Sequence, residues 1–223
     1  MKRRVLLLPG SSNPGGSARY RGAYLIIENE ARRRGLDYSA VCYPGVGSED
    51  GLHSYQSAYA SAAELCRKFK PHWIIARSTG CDVDGGLLSS SEKWIGDCDG
   101  CVLWGPALSE TVVRIWPTEK ERSAEIERYR QYKVFMSPDF FETLPAFEEN
   151  IKGVRCDLRL ARGSLDEINT LADLDALAEV HRRAQPRFRR EVVEIADLKH
   201  TVIRSGTRPA LLRQYFSCLF DTF

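Results

Sequence analysis

Short and almost uninterrupted apolar runs alternate along this chain with segments of helical periodicity. The first run, Val5-Leu-Leu-Leu8, contains no polar position. Such runs are typical of strands buried on both faces, and strands separated by helices favour a parallel sheet. The pattern predicts an α/β fold with a mostly parallel sheet of about six strands. The predicted strands are Arg4–Pro9, Tyr38–Tyr43, Trp73–Arg77, Cys101–Trp104, Val154–Ala161 and Glu191–Ala196.

Apolar residues recur at helical spacing between and after these runs. The segment Ala18–Arg34 has this spacing and stops at Gly35, a residue that commonly follows a helix C-terminus. A second helix is predicted over His53–Phe69, where Pro71 ends it. The segment Pro209–Leu219 predicts a final amphipathic helix that packs on the sheet.

The connection between the fourth and fifth predicted strands is unusually long. It contains a charged helical stretch at 119–132 and an aromatic-rich stretch at 135–147. A long insertion of this kind is often a functional lid, and the other interpretation is a pair of ordinary surface helices. The prediction is a single domain over residues 1–223, with 107–153 as a lid or cap insertion.

Composition narrows the class of protein. The chain is 43% hydrophobic and 28% charged with a net charge of +2, which is typical of a globular domain with a sizeable core. This balance gives no argument for binding nucleic acid or an anionic membrane surface. No apolar run approaches the roughly 20 residues of a membrane helix, and the N-terminal apolar run is shorter than a signal-peptide core. We therefore expect a cytoplasmic protein.

The cysteines support the same expectation. There are seven, an odd number, and most lie in apolar stretches, which favours reduced and buried thiols. Cys98 and Cys101 form a lone CxxC pair with no second pair and no histidine nearby. No metal site is predicted from this pattern.

A serine follows the third predicted strand at a sharp turn. Residues 76–80 read Ala-Arg-Ser-Thr-Gly, with Ser78 at the centre. The spacing Ala76-x-Ser78-x-Gly80 is a variant of the G-x-S-x-G turn, which carries a serine between a strand and a helix. Small residues flank such a turn because the neighbouring backbone lies very close.

A serine hydroxyl becomes a useful nucleophile when a histidine accepts its proton and a carboxylate orients that histidine. His200 follows the last predicted strand, at the sheet edge where the catalytic groups of parallel sheets gather. Asp166 follows the preceding strand, in the turn 162–166. Asp139, in a different loop, is the alternative acid.

Four segments of this chain resemble motifs of the α/β-hydrolase superfamily, in the order that the family has them. Residues 6–12 (Leu-Leu-Leu-Pro-Gly-Ser-Ser) resemble its strand and oxyanion turn, and 76–80 its nucleophile elbow. Residues 163–166 resemble its acid turn, and 197–200 its histidine loop. Two features depart from the family. Pro9-Gly10 replaces the usual His-Gly, and because the first apolar run already carries the oxyanion-type turn, we expect a sheet without the usual N-terminal hairpin.

The resemblance implies a serine hydrolase that acts on a small-molecule acyl substrate: a carboxylic ester, a thioester or a small amide. Ser78 would attack the carbonyl, His200 would act as general base, and Asp166 would orient His200. The backbone N–H groups of Ser11 and Thr79 would bind the oxyanion. This chemistry needs no metal and no organic cofactor.

Three further residues are predicted to bind substrate. Arg77 would attract a carboxylate-bearing substrate, or else pair with Asp82 or Asp84. Trp104 and Trp116 flank the insertion and would line an apolar acyl pocket, or else pack in the core or lid.

A second hypothesis is a binding or scaffold protein with the same fold, acting as a ligand receptor or as a subunit of a larger assembly. Basic clusters and an aromatic C-terminus are compatible with a protein partner or a homo-oligomer. The aromatic residues are Tyr215, Phe216, Phe220 and Phe223.

Overall fold

Six strands form one sheet in the computed structural model, which describes residues 2–11, 23–47, 49–91, 98–106 and 108–200. Every neighbouring pair is parallel, so the predicted α/β architecture is confirmed. The strands are β1 (Arg4–Leu8), β2 (Asp37–Ala40), β3 (Trp73–Arg77), β4 (Gly100–Trp104), β5 (Asp157–Leu165) and β6 (Arg190–Lys199). Their order across the sheet is β2-β1-β3-β4-β5-β6.

Strand bounds differ clearly from the prediction in β2, β5 and β6, and β6 runs on to Lys199, past its predicted end at Ala196. β2 ends at Ala40, before the predicted end at Tyr43, because its pairing with β1 stops there. β5 begins at Asp157 rather than Val154, because Val154 follows a helix as its C-terminal cap. At its other end β5 runs on to Leu165, where pairing with β6 continues through an irregularity after Gly163.

Seven helices are described in the ranges given above. The predicted helix over 53–69 is confirmed from Tyr55, and the side chains of Ser54 and Ser57 form a reciprocal capping box at its start. The first helix is described from Ala23 and ends before Gly35, as predicted. The predicted helix Pro209–Leu219 lies outside the described residues. The helices are α1 (Ala23–Arg33), α2 (Tyr55–Phe69), α3 (Thr79–Ser89), α4 (Ser109–Ile115), α5 (Glu119–Arg130), α6 (Phe147–Gly153) and α7 (Leu171–Ala184).

Alternate residues of the central strands point to opposite faces of the sheet and form two apolar cores. On one face, Leu6, Ile74 and Leu103 join residues of α2, α3, α6 and α7. On the other face, Leu7 and Ile75 join residues of α1. Two-sided burial explains why these strands lack polar alternation in the sequence.

The strand order reverses between β1 and β3. The chain leaves β1 towards β2 on one side of the sheet, and later continues from β3 towards β6 on the other. Such a switch point opens a crevice at the carboxyl ends of the strands. Gly10 and Ser11 follow β1 and Ser78 follows β3, so these residues lie at the crevice.

Residues 108–146 cover this crevice, and we call them the roof. The roof comprises α4, α5 and an irregular segment that contains the aromatic-rich stretch. Within it, Phe135 donates from its N–H to the Gly45 carbonyl at 2.7 Å and accepts from the His53 N–H at 2.7 Å. The Ser137 N–H donates to the His53 carbonyl at 2.9 Å. These backbone bonds fix the roof to the loop that precedes α2.

Candidate active site

Ser78 lies at a strained turn between β3 and α3. Its backbone has φ 50° and ψ −126°, a conformation that costs a non-glycine residue about 1–3 kcal/mol. A Cβ at Gly80 would lie 2.4 Å from the Leu8 carbonyl oxygen, so a side chain there would collide with β1. A Cβ at Gly10 would lie 2.9 Å from the Ser78 Cβ. The loop after β1 therefore approaches Ser78 closely, and glycine permits this approach.

His200 bridges Ser78 and Asp166. Its Nε2 lies 3.3 Å from the Ser78 Oγ, and its Nδ1 lies 3.1 Å and 3.2 Å from the two carboxylate oxygens of Asp166. The three residues follow β3, β5 and β6, so strand ends alone bring them together from distant parts of the sequence. With the Nδ1 proton held by Asp166, Nε2 is free to accept the serine proton.

Asp166 is buried in a turn that supplies several donors to it. Its Oδ1 accepts from the backbone N–H groups of Ile168 at 2.8 Å and Asn169 at 3.1 Å. The Arg162 guanidinium donates to the Asp166 carbonyl at 3.2 Å. Burial raises the pKa of Asp166, but the hydrogen bond and charge of His200 and these N–H groups outweigh burial and lower the pKa overall. Asp166 is therefore ionised at neutral pH.

Asp139, the alternative acid, is exposed in the roof. Among the described contacts of His200, the carboxylate that it meets is that of Asp166. The geometry thus favours Asp166 over Asp139 as the partner of His200.

The predicted oxyanion donors have different surroundings. Thr79 begins α3, where the first backbone N–H groups of a helix have no intrahelical acceptor. The Ser11 N–H instead donates to the Thr79 Oγ1 at 2.9 Å. This corrects the expectation that the Ser11 N–H faces the oxyanion, because the threonine hydroxyl already occupies the acceptor position.

A buried histidine extends this hydroxyl pair. The Ser11 Oγ lies 2.6 Å from the Thr79 Oγ1 and 2.7 Å from the His53 Nε2. The His53 ring stacks on Phe140 of the roof with 5.1 Å between ring centroids. Burial lowers the pKa of His53 to about 4, so its ring is neutral near neutral pH. The sequence pattern places His53 only at a helix start, and nothing in it indicates that the side chain turns inward.

Arg77 is almost fully buried on the α1 face of the sheet. Its guanidinium donates to the Tyr24 hydroxyl at 3.1 Å and to the His200 carbonyl at 2.6 Å. It also lies 5.1 Å from the centre of the Trp104 ring. Side chains alternate along β3, so Arg77 points away from the roof. The predictions that Arg77 pairs with an aspartate or contacts substrate are therefore corrected: it connects α1 to the end of β6.

The two tryptophans that were predicted to bind substrate lie in different surroundings. Trp104 is buried in the core on the α1 face, so its predicted contact with substrate is corrected as well. Trp116 follows α4 and lines the cavity beneath the roof. The difference arises from strand alternation for Trp104 and from the position of α4 for Trp116.

A cavity of about 210 Å³ opens beside Ser78, Thr79 and His200. Its polar groups include the ion pair between Glu125 and Arg128. Its apolar walls include Val112, Trp116, Met136, Phe140, Phe141 and Leu144. Glu167 also lines the cavity, so the arrangement places a hydroxyl and an imidazole at the end of a largely apolar chamber that contains several charged side chains.

No cluster of three or more His, Cys, Asp or Glu suited to a metal occurs in the described part of the chain. The described cysteines, Cys98 and Cys101 among them, form no disulfide among the residues that the structure describes. None of the described helices has both the length and the apolar character needed to cross a bilayer.

Solved structures of other proteins share this architecture at low sequence identity. An esterase from Pyrococcus furiosus superposes with a TM-score of 0.69 at 14% identity, over 99% of this chain and 80% of that one. Mouse alpha/beta hydrolase domain-containing protein 10 gives 0.67 at 15% identity, over 98% and 88%. A monoacylglycerol lipase from Paleococcus ferrophilus gives 0.65 at 16% identity, over 98% and 93%.

These superpositions establish that the chain has the α/β-hydrolase fold. The predicted resemblance is thereby confirmed at the level of the fold. No protein-family model matches the sequence. No curated protein matches it either.

Proposed function

We propose that this protein is a serine hydrolase that cleaves a carboxylic ester, or a thioester or small amide, through an acyl-enzyme on Ser78. We also propose that residues 1–223 form one domain in which the segment 107–153, which includes the roof, acts as a lid. The observation that carries the hydrolase proposal is the hydrogen-bonded series Ser78–His200–Asp166, with Ser78 on a strained turn beside a cavity.

In the first half of the reaction the Ser78 Oγ attacks the carbonyl carbon and its proton moves to the His200 Nε2. The negative charge that develops on the carbonyl oxygen is stabilised by the backbone N–H of Thr79 and the positive end of α3. Collapse of the tetrahedral intermediate breaks the bond to the leaving group, which takes the proton from His200.

Deacylation repeats the sequence with water as the nucleophile. His200 accepts a proton from water as the water attacks the acyl carbon, and then returns it to the Ser78 Oγ as the acid leaves. Asp166 stays ionised throughout and stabilises the imidazolium that forms twice in each cycle. The fold neighbours named above include an esterase and a lipase, which supports esters over amides by analogy of fold.

A fluorophosphonate probe tests the nucleophile. We expect the wild-type protein to be labelled covalently and Ser78→Ala to remain unlabelled at the same concentration. Intact-protein mass spectrometry gives the readout, with an established serine hydrolase as positive control. A wild-type protein that stays unlabelled would reject the catalytic proposal and favour a binding or scaffold role for the fold.

Replacement of each candidate aspartate by asparagine tests which one orients His200. Asp166→Asn should lower kcat for a nitrophenyl ester by about 10³–10⁴-fold, because an amide leaves the His200 tautomer unsupported. Asp139→Asn is the matched control in the exposed roof and should keep near wild-type turnover. If Asp139→Asn lost turnover while Asp166→Asn kept it, Asp139 would be the residue that orients His200.

A further inference from the structure

The distances around Thr79 leave the direction of its hydroxyl proton to be assigned. Its Oγ1 accepts from the Ser11 N–H at 2.9 Å and shares a bond of 2.6 Å with the Ser11 Oγ. The Ser11 Oγ in turn shares a bond of 2.7 Å with the His53 Nε2. A hydroxyl has one proton to donate and two lone pairs to accept with. The direction in which these protons point therefore depends on the tautomer of His53.

Burial decides that tautomer. The His53 Nδ1 is buried and has no hydrogen-bond partner among the described residues. A proton on Nδ1 would leave a buried N–H donor unsatisfied, whereas a proton on Nε2 leaves only a bare acceptor there, and buried donors without partners are the rarer case in proteins. The favoured tautomer carries its proton on Nε2 and donates it to the Ser11 Oγ.

The rest of the series follows from that assignment. The Ser11 Oγ accepts from His53. Ser11 is buried and its other described side-chain contact is the Thr79 Oγ1, so it donates its own proton there rather than leave a buried donor without a partner. Thr79 then accepts both from the Ser11 N–H and from the Ser11 hydroxyl, which fills its two lone pairs. Its own proton finds no acceptor among the described residues, and Thr79 borders the cavity beside Ser78 and His200.

We propose that the Thr79 hydroxyl is a catalytic residue that donates a hydrogen bond to the oxyanion of the tetrahedral intermediate, and that Ser11 and His53 are positioning residues that aim it. The inference rests on the proposed hydrolase function. It gives Thr79 two donors, its backbone N–H and its hydroxyl. The Ser11 N–H orients the acting hydroxyl instead of binding the oxyanion itself.

Substitution of Thr79 separates this role from packing. Thr79→Val keeps the shape and removes the hydroxyl, and kcat should fall about 10²–10³-fold, the usual loss for one oxyanion donor, with little change in KM. Thr79→Ser restores the hydroxyl and should recover most of the lost turnover. Thermal unfolding of each variant verifies that it is folded. Equal kcat in wild type and Thr79→Val would overturn the proposal and leave the hydrolase function standing.

A pair of inhibitors reports on the charged intermediate directly. A trifluoromethyl ketone of a good substrate forms a tetrahedral adduct with Ser78 that bears an oxyanion, whereas the matching methyl ketone largely remains a ground-state ligand. Thr79→Val should weaken the first inhibitor by about the same factor as kcat/KM and leave the second unchanged. Equal weakening of both inhibitors would indicate a defect of packing and contradict the proposal.

His53 is tested through its coupling to Thr79. His53→Leu interrupts the series and should lower kcat in the wild-type background but cause little further loss in the Thr79→Val background, a signature of residues that act together. His53→Gln carries an amide N–H near the position of Nε2 and should recover part of the activity. Additive losses in the double variant would overturn the positioning role. A wild-type protein without esterase activity or probe labelling would instead reject the underlying function.

Discussion

Two ionisable side chains next to the elbow are buried and have no ion-pair partner within the described part of the chain. The Arg77 guanidinium contacts the Tyr24 hydroxyl, the His200 carbonyl and the Trp104 ring. Asp82 lies in the first turn of α3, fully buried, and neither carboxylate oxygen has a hydrogen-bond partner among the described residues. Burial raises the pKa of Asp82 well above its ordinary value of 3.8. Asp82 is therefore a protonated carboxyl in the folded protein at mildly acidic pH.

Stability should respond to pH through Asp82. Above its ordinary pKa of 3.8 the unfolded chain releases this proton while the folded protein retains it, so stability falls as pH rises. The slope approaches about 1.4 kcal/mol per pH unit while the folded carboxyl stays protonated. Asp82→Asn should remove this contribution and gain stability relative to wild type as pH increases. Urea unfolding at a series of pH values measures the difference.

The exposed Asp139→Asn serves again as the control in that series. This variant should change the free energy of unfolding by a small and similar amount across the pH series. A constant difference between Asp82→Asn and wild type at every pH would contradict the assignment of a protonated carboxyl.

The site residues at strand ends were predictable from the sequence. The residues whose role depends on the direction of the side chain were not. Ser78, Asp166 and His200 each follow a strand of a parallel sheet, and one topological rule brings them together. His53 and Arg77 reach the site through side-chain direction: His53 turns inward from a loop, and Arg77 follows the alternation of β3 to the far face. Nothing in the local sequence reveals such directions before the strands and their neighbours are placed.

At the scale of elements, Arg77 holds the end of β6 in position. Its guanidinium bonds the His200 carbonyl and the Tyr24 hydroxyl, and that hydroxyl accepts from the Gly10 N–H at 3.2 Å. One side chain thereby connects the loop after β1, helix α1 and the histidine. The planar fork of arginine allows two such bonds at once, which lysine does not reproduce.

Arg77→Lys should lower kcat by about tenfold or more, since the His200 carbonyl loses its donor while the cavity is untouched. KM should change little, because Arg77 does not border the cavity. Arg159→Lys is the matched control, because Arg159 lies near the start of β5 and pairs with Glu191 of β6. Steady-state kinetics on a nitrophenyl ester gives both constants. A rise in KM with unchanged kcat would instead assign Arg77 to substrate binding.

Element bounds were less predictable than element types. The apolar run at 154–161 indicates a strand, but its first residues end α6 and its pairing with β6 carries it on to Leu165. The extension brings Asp166 directly to the end of the strand. Sheet pairing is a long-range property, so the local hydrophobic pattern cannot define where it stops.

At the scale of the whole molecule, the roof sets the size of the substrate. The cavity of about 210 Å³ is smaller than the roughly 300–1,000 Å³ of sites for drug-sized ligands. Its walls are mostly apolar side chains of the roof, with Glu125 and Arg128 at one region. A short acyl chain fits this volume, and a long one requires the roof to move.

Nitrophenyl esters of increasing acyl length test this restriction. The kcat/KM of a butyrate ester should exceed that of a dodecanoate ester by at least about tenfold. Replacement of Phe141 by Ala should enlarge the cavity and reduce that preference. A dodecanoate ester hydrolysed as fast as the butyrate would contradict the proposal that the closed roof limits the length of the acyl chain.

The backbone hydrogen bonds between the roof and His53 bear on the order in which the protein would admit a substrate and react with it. Phe135 and Ser137 bond both the N–H and the carbonyl of His53, and Phe140 stacks on its ring. Lifting this part of the roof to admit a substrate would release the histidine that aims the Thr79 hydroxyl. An open molecule would therefore have its nucleophile but only part of its oxyanion site. The complete oxyanion site would form again when the roof closes. Substrate entry would therefore come first, and attack by Ser78 would follow after closure.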